Sequence, residues 1–147
     1  MDAQTLQLRH RFGLGLLKDP HQLAVVGDEL YVCDRGNHRL QVFSLTGEHR
    51  RSIVGAWRAP ERLCFAKDRL YLVGARRDDP LHGNRVLVLS LQGDILQVVT
   101  HPTEPTARFK SICCFDRKLL ATYLYFTESA GTGFISTADG VLALQGL

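Results

Sequence analysis

The sequence predicts an all-β fold of about three four-stranded antiparallel units, preceded by one N-terminal strand. Three observations predict it. First, the chain repeats itself: Pro20-His-Gln-Leu-Ala-Val-Val-Gly-Asp-Glu-Leu-Tyr-Val32 returns forty residues later as Pro60-Glu-Arg-Leu-Cys-Phe-Ala-Lys-Asp-Arg-Leu-Tyr-Leu72, with Pro, Leu, Asp, Leu and Tyr in place. Second, short runs of Val, Leu, Ile, Phe and Tyr alternate with Gly, Asp, Asn and Pro, the punctuation of strands and tight turns, while helix signals are weak throughout. Third, 147 residues with 45% hydrophobic and 22% charged side chains suit one folded core and are short for two domains.

In the first copy the pattern places strands at 22–26, 29–34, 39–44 and 48–54, with turns at Gly27-Asp28, Arg35-Gly36-Asn37 and Thr46-Gly47-Glu48. The second copy repeats this at 62–66, 69–74, 85–90 and 94–100. Its later half is displaced by a further six residues, since Arg39-Leu-Gln-Val-Phe-Ser-Leu-Thr-Gly47 aligns with Arg85-Val-Leu-Val-Leu-Ser-Leu-Gln-Gly93. The extra residues fall within Ala75 to Asn84. A third, degraded copy starts at Pro105 and predicts strands at 110–115, 118–126, 133–137 and 141–145, the last two divided at Ala138-Asp139-Gly140.

Four strands per roughly forty residues is the period of a propeller blade, a small twisted sheet that needs neighbours stacked on its faces. The expected division is therefore a single propeller segment over 1–147: a strand of a preceding blade at 5–13, blade one at 20–55, blade two at 60–100 and blade three at 105–147.

The stretch Gly27-Asp-Glu-Leu-Tyr-Val-Cys-Asp-Arg-Gly-Asn-His-Arg-Leu-Gln-Val-Phe-Ser-Leu-Thr-Gly47 resembles an NHL repeat, with Asn37-His38-Arg39-Leu40 as the stretch behind the family's name. The second copy keeps Leu70-Tyr71, Asn84-Arg85-Val86 and Ser90-Leu91-Gln92-Gly93, but has Gly74 where the first has Asp34, and lacks the His. NHL domains are typically six-bladed, so the resemblance implies a partial ring. Three arrangements follow: a fragment of a longer protein, a homodimer of two chains completing the propeller ring, or an open arc with capped ends.

Loops between blades, and between second and third strands, share one face of a propeller, commonly the ligand-binding one. Here that face is expected to collect Arg35 and His38 from blade one, Trp57 and Arg58 from the connector, and Arg76, Arg77 and His82 from the long loop. A rigid aromatic among guanidiniums is the composition of protein hot spots and of RNA-stacking surfaces. The same residues also have an architectural reading. Trp57 would plug the seam between blades, with the arginines solvated or paired to Asp78, Asp79 and Glu61. Asn37 and Arg39 suit a turn and a repeated scaffold position, and Asp34 is expected to receive hydrogen bonds from that turn.

Catalytic patterns are missing from the sequence. The six histidines show no His-x-x-x-His or His-Glu-x-x-His spacing, the four cysteines no Cys-x-x-Cys, and there is neither a Gly-x-Ser-x-Gly elbow nor a phosphate loop. Cys33, Cys64, Cys113 and Cys114 each sit in an apolar run and are expected to be reduced and buried. The net charge of +3 is spread among interleaved acids and bases, so charge alone does not point to nucleic acid. The N-terminus does not read as a signal peptide, and the longest apolar runs fall far short of the ~20 residues that cross a bilayer.

These readings predict a cytoplasmic, non-catalytic binding module without metal or cofactor, recognising a protein partner and making no membrane contact. The resemblance adds that such propellers recruit proteins or RNA and are often fused to a RING-type ubiquitin ligase module, which here would lie in a longer protein. An RNA-binding surface and the remnant of a metal-dependent propeller enzyme of the lyase or lactonase kind are the alternatives.

Overall fold

A computed structural model describes residues 8–74, 84–101, 108–115, 118–129 and 133–145, with Phe115, Lys118 and residues 122–145 described by backbone alone. The chain is a partial all-β propeller. Blade one is the meander β1 (Pro20–Val26), β2 (Glu29–Asp34), β3 (Arg39–Ser44) and β4 (His49–Ile53). Blade two repeats it with β5 (Pro60–Ala66), β6 (Arg69–Gly74), β7 (Arg85–Leu89) and β8 (Ile95–Thr100). The first strands of the three sheets, β1, β5 and β9 (Arg108–Phe115), neighbour one another.

The sequence repeat is also a repeat of backbone devices. Asp19 and Ala59 both enter their blades in the left-handed region (φ 49° and 44°), each just before the proline that opens a first strand. Ser44 and Ser90 build the same turn: each side chain accepts from the backbone N–H four residues on, at 3.0 and 3.1 Å, and the glycine between takes φ 93° or 97°. Lys67 and Asp68, both left-handed, turn β5 into β6 as a two-residue hairpin loop requires.

Alternation along the strands builds two seams. Between blades one and two, Tyr31, Cys33, Leu40, Val42 and Ile53 meet Leu63, Leu70, Leu72 and Leu89. Between blades two and three, Tyr71, Val73, Val86 and Val88 meet Phe109, Ile112, Leu119 and Ala121. Strand β6 thus sends Leu70 and Leu72 to one seam and Tyr71 and Val73 to the other, because successive side chains on a strand point to opposite faces. Burying each large apolar side chain is worth about 1.5–3 kcal/mol, so the seams are the principal cohesion of the blades.

Two elements depart from expectation. The third sheet has three strands among the described residues, ordered β11-β10-β9, because 133–137 and 141–145 are one strand, β11 (Gly133–Gln145). Strand β10 (Lys118–Ser129) supplies partners along its whole length, Asp139 and Gly140 opposite Leu124 and Tyr123, so the ladder runs through the expected turn. At the N-terminus, residues 8–13 of the expected strand 5–13 form no strand, and residues 5–7 lie outside the described ones. Phe12 nonetheless packs on Phe43 (5.4 Å between ring centroids) and covers Gly47.

Candidate functional site

The loop face is built around Asp34, the last residue of β2. Its buried carboxylate accepts from the Lys18 N–H (2.7 Å), from Asn37 Nδ2 (2.9 Å to the nearer oxygen) and from Arg39 Nε (2.8 Å). Burial alone would push this carboxyl up. The hydrogen bonds from Lys18, Arg39 and Asn37, with the charge of Arg39, overcome that and hold it below the ordinary carboxylate range. Asp34 therefore anchors the segment entering blade one to the turn leaving β2.

That turn is a short 3-10 segment, Arg35–Asn37, closed by His38 in the left-handed region (φ 57°). His38 is exposed, but its Nδ1 accepts from the Ala59 N–H at 3.0 Å, which places its proton on Nε2 and ties the loop to the connector into blade two. Arg35 bridges two carboxylates, Asp19 (2.5 Å) and Glu61 (2.8 Å). Both residues thus hold successive blades together.

Trp57 is 4% exposed, with its ring against Gly55 and Gly93, and its Nε1 has no hydrogen-bond partner. It fills the seam, as its architectural reading has it. Arg58 next to it is exposed. The structure thus gathers Arg35, His38, Trp57 and Arg58 around one connector, while Arg76, Arg77 and His82 lie outside the described residues. Among the described residues, no three His, Cys, Asp or Glu converge as metal ligands would. Nor is any helix among them long and apolar enough to cross a membrane.

Two features escaped the sequence reading. The first is the face of blade one turned away from blade two, where Leu23, Val25 and Leu45 are 52%, 54% and 50% exposed. Their counterparts in blade two, Leu63, Phe65 and Leu91, pack into the seam with blade one. Toward the periphery this open face turns polar: buried Gln41 replaces Leu87, donating to Ser52 Oγ (2.6 Å) and His49 Nε2 (2.8 Å) while its carbonyl oxygen accepts from Arg39 (2.7 Å). The signal was present in the repeat, since aligning the copies pairs each exposed residue with a packed one.

The second is a cavity of about 320 Å³ along β1, β5 and β9, lined by 22–25, 63–65 and 112–114. Three cysteines reach it, and they are not uniformly buried as expected: Cys33 is buried elsewhere, Cys64 and Cys114 are half-buried, and Cys113 is exposed. Alternation along β9 sends adjacent residues 113 and 114 to opposite faces.

Residues 17–43 match the family model of the NHL repeat. The match spans the first three strands of blade one, and the chain as a whole is a partial propeller. No curated protein matches the chain. Among solved structures, it is similar to a luciferin-regenerating enzyme (TM-score 0.59, 14% identity, over 89% of this chain and 46% of that one). It is also similar to a streptogramin B lyase (TM-score 0.54, 16% identity, 87% and 41%) and to a glutaminyl cyclase of Myxococcus xanthus (0.53, 15%, 72% and 47%). At these identities the likeness is one of fold, and the chain spans less than half the length of each.

Proposed function

We propose that the chain is a non-catalytic NHL binding module that recognises protein, and that the open face of blade one is its contact surface. The observation that carries this reading is the exposure of Leu23, Val25 and Leu45 at positions whose counterparts are packed in the next blade. Exposed apolar side chains with a polar rim, here His49 and Ser52, are the usual form of a protein interface. The occupant we propose is a second copy of the chain, presenting the far side of its blade three. Two copies related by a two-fold axis would contact each other twice in this manner and close the array.

The commitments of the loop residues support a non-catalytic role. Asp34, Arg35 and the Nδ1 of His38 are engaged by Lys18, Asp19, Glu61 and Ala59. A cytoplasmic setting suits the four free thiols.

The test titrates fluorescently labelled chain with unlabelled chain and follows anisotropy. Wild type is expected to show a saturable rise that the double variant Leu23→Glu, Val25→Glu lacks, with the circular dichroism spectrum unchanged because both sites are half exposed. A folded double variant that associates like wild type, or a wild type that never associates, overturns the reading.

A further inference from the structure

The seam between blades two and three contains a chemical arrangement that its packing does not require. Cys64 of β5 and Cys114 of β9 place their sulfurs 2.6 Å apart, although they belong to different sheets and lie fifty residues apart in sequence. The corresponding pair in the other seam shows what packing alone uses. Ala24 stands in blade one where Cys64 stands in blade two, and Phe65 pairs with Leu70 as Cys114 pairs with Leu119. A small residue and a large apolar one fill that place without any reactive group.

Three further observations set this pair apart from an inert buried cysteine. The strands are held at this spacing independently of the sulfurs, because Arg62 Nε donates to the Lys110 carbonyl oxygen at 2.8 Å. Both cysteines line the cavity along β1, β5 and β9, so a small reagent has a path to them. The two thiols are also unlike in acidity: Cys64 is pushed up by its hydrogen bond to Cys114 and by burial, whereas that hydrogen bond draws Cys114 down. Burial instead pushes the enclosed Cys33 thiol up to about 12.

The geometry points to Cys64 and Cys114 as a reversible thiol–disulfide site that takes low-molecular-weight disulfides and, once oxidised, cross-links blade two to blade three. Cys114, as thiolate, attacks one sulfur of a glutathione-type disulfide; the sulfur–sulfur bond breaks and one glutathione leaves as its thiolate. Cys64 releases its proton to solvent and attacks the Cys114 sulfur of the mixed disulfide, expelling the second glutathione. Two cysteine thiols are oxidised to one disulfide, and one glutathione disulfide is reduced to two thiols. Cys113 also borders the cavity, but its side chain points to the other face of β9, away from Cys64, and takes no part.

The experiment equilibrates the folded chain with oxidised glutathione, blocks the remaining thiols with an alkylating agent, and maps the peptides by mass spectrometry. The expected product is a linked peptide pair containing Cys64 and Cys114, with two thiols lost and both regained in excess reduced glutathione. Cys113→Ser is expected to give the same pair, and Cys64→Ser to stop at glutathione attached to Cys114. The wild-type map is decisive even if Cys64→Ser does not fold. Thiols intact at both positions, a link through Cys113, or glutathione on Cys113 alone would overturn the inference.

Discussion

Asp34 and Gly74 occupy the same point of successive blades and hold the incoming chain by opposite means. Asp34 extends a carboxylate to the Lys18 N–H at 2.7 Å, while a Cβ on Gly74 would overlap the carbonyl oxygen of Arg58, the counterpart of Lys18. The glycine at 74 is thus a condition of close approach and not a lapse in the repeat. Gly74→Ala is expected to destabilise the chain by about 1–3 kcal/mol through overpacking. Asp34→Ala, which leaves Arg39 without its carboxylate, should cost about 3–5 kcal/mol. Urea unfolding of both variants measures this, and a neutral Gly74→Ala would contradict the repeat equivalence.

Acid should act on the same residue. The carboxyl of Asp34 titrates lower in the folded chain than in the unfolded one, where it is near 3.9. Its stabilising contribution is therefore complete above the unfolded value and disappears as pH falls through the folded value. Melting temperatures recorded from neutral pH down to about pH 2.5 should fall more steeply for wild type than for Asp34→Asn, which has no proton to take up in that range.

Neighbouring residues of the connector should behave very differently. Trp57→Ala opens a void in the seam and is expected to cost about 3–5 kcal/mol. Arg58→Ala removes an exposed side chain and should stay within about 0.5 kcal/mol. Thermal unfolding of the pair checks this. A large effect at Arg58 would mean that its guanidinium carries a structural contact.

The Arg35 bridge is a smaller contributor. At 32% side-chain exposure and facing solvent-accessible Asp19, it is screened by water and salt. Arg35→Ala should therefore lose at most about 1 kcal/mol, and less as ionic strength rises. Denaturation midpoints at low and high salt test both the size and the trend.

The blades were legible because the residues that fix them are local. Pro20 and Pro60, Gly47 and Gly93, and the Ser44 and Ser90 turns declare strand ends by backbone chemistry that any aligned pair of copies displays. The long β10–β11 hairpin was not legible, because Asp139-Gly140 is a turn signal that a continuous partner strand overrides. The loop-face candidates were legible as residues, together with their architectural reading, whereas most of their partners were not. Trp57 fills the seam and Arg35 pairs with Glu61, both within that reading, while the Asp19 and Ala59 partners of Arg35 and His38 were concealed by sequence distance. The Cys64 and Cys114 contact joins different blades, so no local spacing announces it.

The central claim is that the open face of blade one receives a second copy of the chain. Light scattering on a size-exclusion column, across a tenfold range of concentration, tests it most directly. A species of twice the chain mass that persists to the upper end of the range, and that Leu23→Glu with Val25→Glu converts to monomer, is the predicted result. A folded wild-type monomer at every concentration would contradict the claim.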